Sequence, residues 1–207
     1  MLYPLFLAVL LVALSNDPIG ESLRHFARVQ TYRVTLRSVT DGKKQVINYS
    51  YKRPGFVKME FVSPHTGALL VYNPEKNEAR LRPFGIAPFF ILTLNPDNPL
   101  IKSPTGHRVD RSDIGSLLNT IISLQKNGTT TVNSITTLNG RQAIEVTVVG
   151  QDVSAVDGVH SCHLWLDKTT MLPLKVITYS ADHTMIEEVL MDNLEINVTF
   201  EAGEFNL

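Results

Sequence analysis

The sequence contains very little cysteine, almost no net charge and no apolar run long enough to cross a bilayer. Cys162 is the only cysteine among 207 residues, which excludes internal disulfides and every metal site that needs several thiolates. The 19 Lys and Arg residues nearly balance the 20 Asp and Glu residues, so the basic excess with which proteins neutralise nucleic-acid phosphates is missing. We therefore expect no metal, no cofactor and no nucleic-acid partner.

The N-terminal segment carries the one conspicuous apolar run, residues 5–14. A bilayer-spanning helix needs about 20 apolar residues, so this run suits the core of a secretory signal peptide instead. The small residues Ala13 and Ser15 place cleavage after Ser15, although the first four residues carry no Lys or Arg. A buried N-terminal helix is the alternative. We predict a signal peptide at 1–15 and a single domain at 16–207. We expect this domain to be exported to the periplasm without a lipid anchor, because no cysteine lies near the cleavage point.

Most of the chain alternates apolar and polar residues with the period of half-buried β-strands. Asp41-Gly42 and Asn139-Gly140 are typical of tight hairpin turns between such strands. Helical spacing occurs in residues 21–29 and 113–126. We count about ten strands and two or three helices without βαβ alternation, which predicts an antiparallel sandwich or barrel.

One face of most predicted strands is apolar and combines aromatic side chains with Met. A packed core is one interpretation of this face. Two further apolar segments, 86–94 and 114–124, are able to close over one mouth of a curved sheet, which favours a ligand cavity. Residues 86–94 contain Pro88 and fit either a strand or a short buried helix. The predicted cavity residues are Leu36, Tyr49, Tyr51, Met59, Phe61 and Leu164, and the predicted lid residues are Phe89, Phe90, Leu92, Leu117 and Ile121.

Several short motifs between residues 21 and 207, taken in their order and spacing, resemble the periplasmic outer-membrane lipoprotein carriers of the LolA/LolB-like superfamily. The sequence also closely resembles a bacterial family of unknown function within that superfamily. The motifs are Val39-Thr40-Asp41-Gly42, Lys52-Arg53-Pro54, Val71-Tyr72-Asn73-Pro74, Pro88-Phe89-Phe90-Ile91-Leu92, Leu164-Trp165-Leu166-Asp167, Leu172-Pro173-Leu174, Asp192 and Ile196-Asn197.

The resemblance implies a mainly β fold with helices, in which a strongly curved antiparallel sheet forms an unclosed barrel and the helices act as a lid over a hydrophobic cavity. It implies a monomeric carrier of lipid or lipoprotein acyl chains, with donor and acceptor proteins on membranes as partners and no catalysis. An envelope sensor that detects lipids or lipoproteins through the same cavity is the alternative.

Arg53 is the predicted lid latch. It continues an apolar strand face, where a guanidinium is costly unless it is hydrogen-bonded. The family resemblance implies that it donates to backbone carbonyls of the lid. The alternative is an arginine at the rim that extends to water.

Two other groups of residues are of types that bind metals or act in catalysis, but neither group predicts such a site. His160, Cys162 and His163 do not converge on a strand as metal ligands must, so we predict a buried thiol beside ordinary histidines. The acidic pairs Glu187-Glu188 and Glu75/Glu78 are predicted to be solvated, and the sequence contains no catalytic signature motif.

Overall fold

The computed structural model describes residues 17–83, 90–151 and 155–207. The predicted signal peptide at 1–15 lies outside the described residues. The described part contains eleven strands and two α-helices. The helices are α1 (Pro18–Phe26) and α2 (Ile114–Gln125), and the strands are β1 (Thr31–Thr40), β2 (Lys43–Lys52), β3 (Phe56–Ser63), β4 (Leu69–Asn73), β5 (Glu78–Arg82), β6 (Leu92–Leu94), β7 (Gly128–Leu138), β8 (Arg141–Gly150), β9 (Ser161–Asp167), β10 (Pro173–Tyr179) and β11 (Met185–Ile196).

All these strands form one antiparallel sheet in the order β6-β5-β4-β3-β2-β1-β11-β10-β9-β8-β7. The sheet consists of two meanders, and the pairing of β1 with β11 joins the two ends of the domain. The edge strands β6 and β7 do not pair with each other, so the curved sheet is an unclosed barrel. The predicted fold class is therefore confirmed.

The two predicted hairpin turns explain why neighbouring strands pair in sequence order. Asp41 and Gly42 have φ of 49° and 72°, and Asn139 and Gly140 have φ of 49° and 78°. Positive φ at both central residues is the geometry of a two-residue turn whose twist matches that of the strands, and Asp, Asn and Gly tolerate it best.

Both helices begin at an aspartate that caps their first turn. The Asp17 carboxylate accepts a hydrogen bond from the Gly20 amide at 2.9 Å, and Asp113 accepts from Gly115 at 2.8 Å. Such caps satisfy amide groups that have no partner within the helix. The cap at Asp17 starts α1 three residues before the predicted start at 21, and α1 ends at Phe26 rather than at 29.

The described end of the predicted lid segment 86–94 is part of the sheet rather than a lid. Leu92–Leu94 forms β6 and pairs with β5, with Leu94 opposite Ala79 and Leu92 opposite Leu81. This pairing satisfies the backbone of β5, which would otherwise be exposed at the sheet edge. Phe90 is 48% exposed, and Phe89 lies outside the described residues.

The helix α2 divides the concave face of the sheet into a filled half and an open half. It packs against β7, β8 and α1. Inner side chains of β8 and β9 in this half, including Val146, Val148, Cys162 and Leu164, are fully buried. The other half of the concave face, built mainly by β1–β5, β10 and β11, faces a cavity.

Candidate ligand-binding cavity

The cavity has a volume of about 1130 Å³ and is lined mainly by apolar side chains. Ligand pockets in proteins usually enclose about 300–1,000 Å³, so this space is large for a chain of this size. The sheet contributes these apolar residues to the wall: Tyr32, Val34, Leu36, Ile47, Tyr49, Met59, Phe61, Leu70, Leu81, Val176, Val189 and Met191.

The cover of the cavity consists of α2 and the segment 99–113 that precedes it. Leu117 and Ile121 on α2 line the cavity, as do Ile101 and Val109. The segment contains two short 3-10 turns, Pro99–Ile101 and Val109–Arg111. The three prolines in residues 95–104 are typical of a loop. The sequence gives no sign that this loop contributes to the cavity, because its buried apolar residues are too few to show a period.

Arg108 stabilises the segment 99–113 by pairing with one carboxylate that precedes Arg108 in the chain and one that follows it. Its guanidinium pairs with Asp97 and donates from Nη2 to Asp110 Oδ2 at 2.7 Å. The hydrogen bond from Arg108 lowers the pKa of the Asp110 carboxyl, so this pair stays ionised at neutral pH.

Two tyrosines fix the start of α2 to the sheet. The Tyr49 hydroxyl lies 3.1 Å from Ser112 Oγ, and Ser112 in turn donates to the Val109 carbonyl at 2.7 Å. The Tyr32 hydroxyl accepts from the Ile114 amide at 3.3 Å. Burial raises the pKa of both tyrosines well above 10, so they remain neutral hydrogen-bonding groups and anchor one end of the cover.

Arg53 contacts α1, which supports α2 from outside the cavity. Its Nε donates to the Val29 carbonyl at 2.7 Å and its Nη2 donates to the Phe26 carbonyl at 3.1 Å. The guanidinium also lies 5.6 Å from the centre of the Phe26 ring. Because the last carbonyls of a helix have no partner within it, a cation is favourable there. Arg53 therefore donates to helix α1, whereas we had predicted that it holds the segment 86–94.

The contact between the helices depends on a glycine. A Cβ atom at Gly115 would lie 2.5 Å from Cε1 of Phe26, a distance that side chains do not tolerate. The Phe26 ring also packs against Tyr32 and Tyr51, with ring centroids 6.2 Å and 5.9 Å apart. The end of α1, the start of α2 and the sheet thus meet at one aromatic cluster.

The structure places four of the six predicted cavity residues in the wall. These are Leu36, Tyr49, Met59 and Phe61. Tyr51 instead stacks on Tyr32 in the aromatic cluster, with ring centroids 5.0 Å apart. Leu164 is fully buried in the half of the sheet that α2 covers, which is why it does not face the cavity. Whether the four wall residues contact a ligand stays a prediction.

One carboxylate in the wall was missed. We predicted that Glu187 is solvated, but it lines the cavity. Burial raises its pKa from 4.5 to about 7, and a hydrogen bond from the Thr40 side chain opposes this shift without cancelling it. Its neighbour Glu188 pairs instead with Lys175, at 3.0 Å.

The histidines and the cysteine occupy ordinary positions. Burial alone raises the pKa of the Cys162 thiol to about 12, so the thiol is not a nucleophile at neutral pH. His163 packs against the rings of Trp165 and Tyr179. Within residues 17–83, 90–151 and 155–207, no three His, Cys, Asp or Glu side chains are grouped in a way that suits a metal ion. No helix in the same ranges is long and apolar enough to cross a membrane.

Similar solved structures share the fold at low sequence identity. The Mycobacterium tuberculosis lipoprotein LppX aligns with a TM-score of 0.55 and 8% identity, over 89% of this chain and 96% of its own. A chain in the Pseudomonas aeruginosa MucA/MucB complex aligns with a TM-score of 0.51 and 14% identity, over 92% of this chain and 60% of its own. At such identities the likeness concerns the fold alone.

A LolA superfamily protein from Nitrosomonas europaea aligns over 87% of this chain and 94% of its own, with a TM-score of 0.34 and 9% identity. No curated protein matches the chain. One family model covers residues 27–207, and its description is "Protein of unknown function (DUF1571)". The chain therefore belongs to the DUF1571 family.

Proposed function

We propose that this protein binds the acyl chains of lipids or lipoproteins in its cavity and carries them, without covalent chemistry, between membranes of the cell envelope. The observation that supports the proposal is the large, mainly apolar cavity under a separate cover. An apolar cavity of this size favours removal of alkyl chains from water, a gain of about 0.8 kcal/mol for each buried methylene group.

The architecture also suits loading and release. The cover is attached to the sheet by hydrogen bonds at one end, at Tyr32 and Tyr49, and it is supported by α1, which Arg53 holds. Hydrogen bonds of this kind contribute about 1 kcal/mol each, and more when one group is charged. The free energy gained when a cargo chain is buried is large enough to shift the cover between a closed and an open state.

The wall residue Phe61 provides the test. An environment-sensitive apolar dye is bound to the full chain and displaced with lysophospholipids or fatty alcohols. We expect Phe61→Glu to weaken dye binding at least about tenfold, because an ionised carboxylate in an apolar cavity is strongly disfavoured. The matched control is Val62→Glu, on the same strand, where the native side chain is 42% exposed and the change should leave dye binding intact. Equal dye affinity in folded Phe61→Glu and wild-type protein would refute an acyl site.

The likeness to MucB supports a second candidate, a sensor that reports envelope lipids or lipoproteins to a protein partner. MucB has been solved in complex with MucA, and its fold aligns with 92% of this chain. A sensor and a carrier differ in what co-purifies with the protein from the cell envelope. Co-purification of a stoichiometric protein partner whose binding changes when acyl lipid is added would favour the sensor.

A further inference from the structure

The cavity has one polar end, at the level of Glu187. Along β1 the inward side chains change from Leu36 to Ser38 and then to Thr40. Along β11 they change from Met191 and Val189 to Glu187. On β10 the change is from Val176 to Thr178, which is paired with Glu187 across the strands. Three adjacent strands thus become polar at the same level of one wall. Ser38, Thr178 and Glu187 line the cavity together with Gln45 from β2.

Glu187 is the ionisable residue among the four that line the cavity at this polar end. The side chain of Thr40 donates a hydrogen bond to the carboxylate, and no charge in the described part of the chain contributes to its pKa. Thr178 on β10 pairs with Glu187, and the inward residues of β1 near this level are Ser38 and Thr40. Their partners on β2 are Gln45 and Lys43, and of these four side chains only the exposed Lys43 is charged. The charged or titratable side chains elsewhere around the cavity are His65, Lys102, His107, Arg108, Arg111, Asp113 and Asp157.

This arrangement leaves the Glu187 carboxylate with unused hydrogen-bonding capacity. A carboxylate can accept about four hydrogen bonds, and the structure supplies one side-chain donor, Thr40. A cation that enters the cavity would supply both further donors and the missing opposite charge, whereas an anion would face a like charge in a weakly solvated place. The nearest carboxylate in sequence, Glu188, is already paired with Lys175, so Glu187 is the carboxylate that a ligand would meet at this end of the cavity.

We propose that the cavity takes an amphiphile whose polar head carries a primary amine, with its alkyl chain along Leu36, Met59 and Phe61 and its ammonium group at Glu187. This inference rests on the proposed function, because it assumes that an alkyl chain fills the apolar part. It adds the chemical class of the headgroup and the residue that recognises it. A ligand with a carboxylate head is excluded from the same orientation when Glu187 is ionised.

The test compares three ligands of equal chain length, dodecylamine, dodecanol and dodecanoate, as competitors of the apolar dye on the full chain. At about pH 8.5, where Glu187 is ionised, we expect the amine to bind at least about tenfold more tightly than the carboxylate. The preference should shrink at about pH 5.5, since Glu187 is protonated there while the amine keeps its charge.

Two variants separate recognition from simple hydrophobic binding. In Glu187→Gln the amine should bind no better than the alcohol, and the carboxylate should gain affinity. The matched control, Glu188→Gln, changes the neighbouring carboxylate and should keep the amine preference. If dodecanol binds but the wild type shows no amine preference, or if Glu187→Gln retains it, the inference is wrong while the acyl site stands. If none of the three ligands displaces the dye, the proposed function fails and this inference fails with it.

Discussion

The Nε atom of Arg53 lies 2.7 Å from the carbonyl oxygen of Val29, just beyond the end of α1. With its second bond to Phe26, the guanidinium connects the turn that follows strand β2 to the helix that supports the cover. A charged donor to two backbone carbonyls at a helix end combines a hydrogen-bond term with a favourable interaction with the helix dipole. This relationship makes Arg53 the residue whose removal should loosen α1 most selectively.

We predict that Arg53→Leu raises amide hydrogen exchange in residues 18–29 of the ligand-free protein by roughly tenfold, which corresponds to loss of about 1.4 kcal/mol of closing free energy. Leucine suits the apolar strand face, so global stability should change little. Lys52→Leu is the control, because Lys52 is the exposed residue directly before Arg53, at the end of β2. Unchanged exchange in α1 of the Arg53 variant would show that Arg53 is a rim residue without a latch role.

The glycine between the helices gives a second prediction. Gly115→Ala should lower the free energy of unfolding by about 1–3 kcal/mol, because the added Cβ would overlap the Phe26 ring and force α1 away from α2. Asn119→Ala, an exposed change on the same helix, is the control and should be neutral or slightly stabilising. Urea unfolding of both variants measures the effect, and equal midpoints would contradict the close contact.

Glu187 makes stability depend on pH in a defined direction. The unfolded chain ionises this carboxyl near pH 4.5, whereas the folded protein keeps its proton until about pH 7. The folded state therefore loses stability as pH rises between these values. We predict that Glu187→Gln stabilises the protein by about 1–3 kcal/mol at high pH and has no such effect below the lower value.

Thermal unfolding of Glu187→Gln as a function of pH measures this difference. Glu188→Gln again provides the control, since Glu188 is ion-paired with Lys175 and its replacement should not stabilise the protein at high pH. A pH-independent difference between wild type and Glu187→Gln would mean that Glu187 is not buried in the cavity wall.

Asp167 should act in the opposite sense. Burial raises the pKa of Asp167, but hydrogen bonds from the amide and hydroxyl of Thr170, together with Arg141, outweigh this effect. The pKa of Asp167 is therefore below its ordinary value of 3.8. Its contribution is therefore present above about pH 4 and is lost as pH falls through the lowered pKa. We predict that Asp167→Asn costs about 2 kcal/mol of stability at neutral pH. Chemical denaturation at neutral and acidic pH tests this, and an equal cost at both would be inconsistent with it.

The parts of the fold that follow from local signals could be predicted from the sequence. Asp41-Gly42 and Asn139-Gly140 each place two residues that tolerate positive φ between alternating segments, and Asp113 precedes the apolar period of α2. Turn chemistry and helix capping act over a few residues, so the sequence displays them directly. The pairing of β1 with β11 has no such local signal, and the strand pattern by itself fitted a sandwich as well as a barrel.

The site was harder to predict because it depends on which face of a strand points inwards. In β11, apolar residues occur on both faces of the strand. Leu190 lies on one face, and Val189 and Met191 lie on the other. The pattern therefore cannot tell whether Glu187 or Glu188 faces the cavity. The target of Arg53 was likewise hidden, because the choice between α1 and the segment 86–94 depends on tertiary packing rather than on spacing.

The central claim is that the cavity holds acyl chains in the cell, and native mass spectrometry of the protein purified from the envelope of its own organism tests it most directly. Wild-type protein and the control Val62→Glu should carry an acyl-lipid adduct of defined mass, and Phe61→Glu should lose it while remaining folded. Wild-type protein without a lipid adduct, or the same adduct on Phe61→Glu, would contradict the claim.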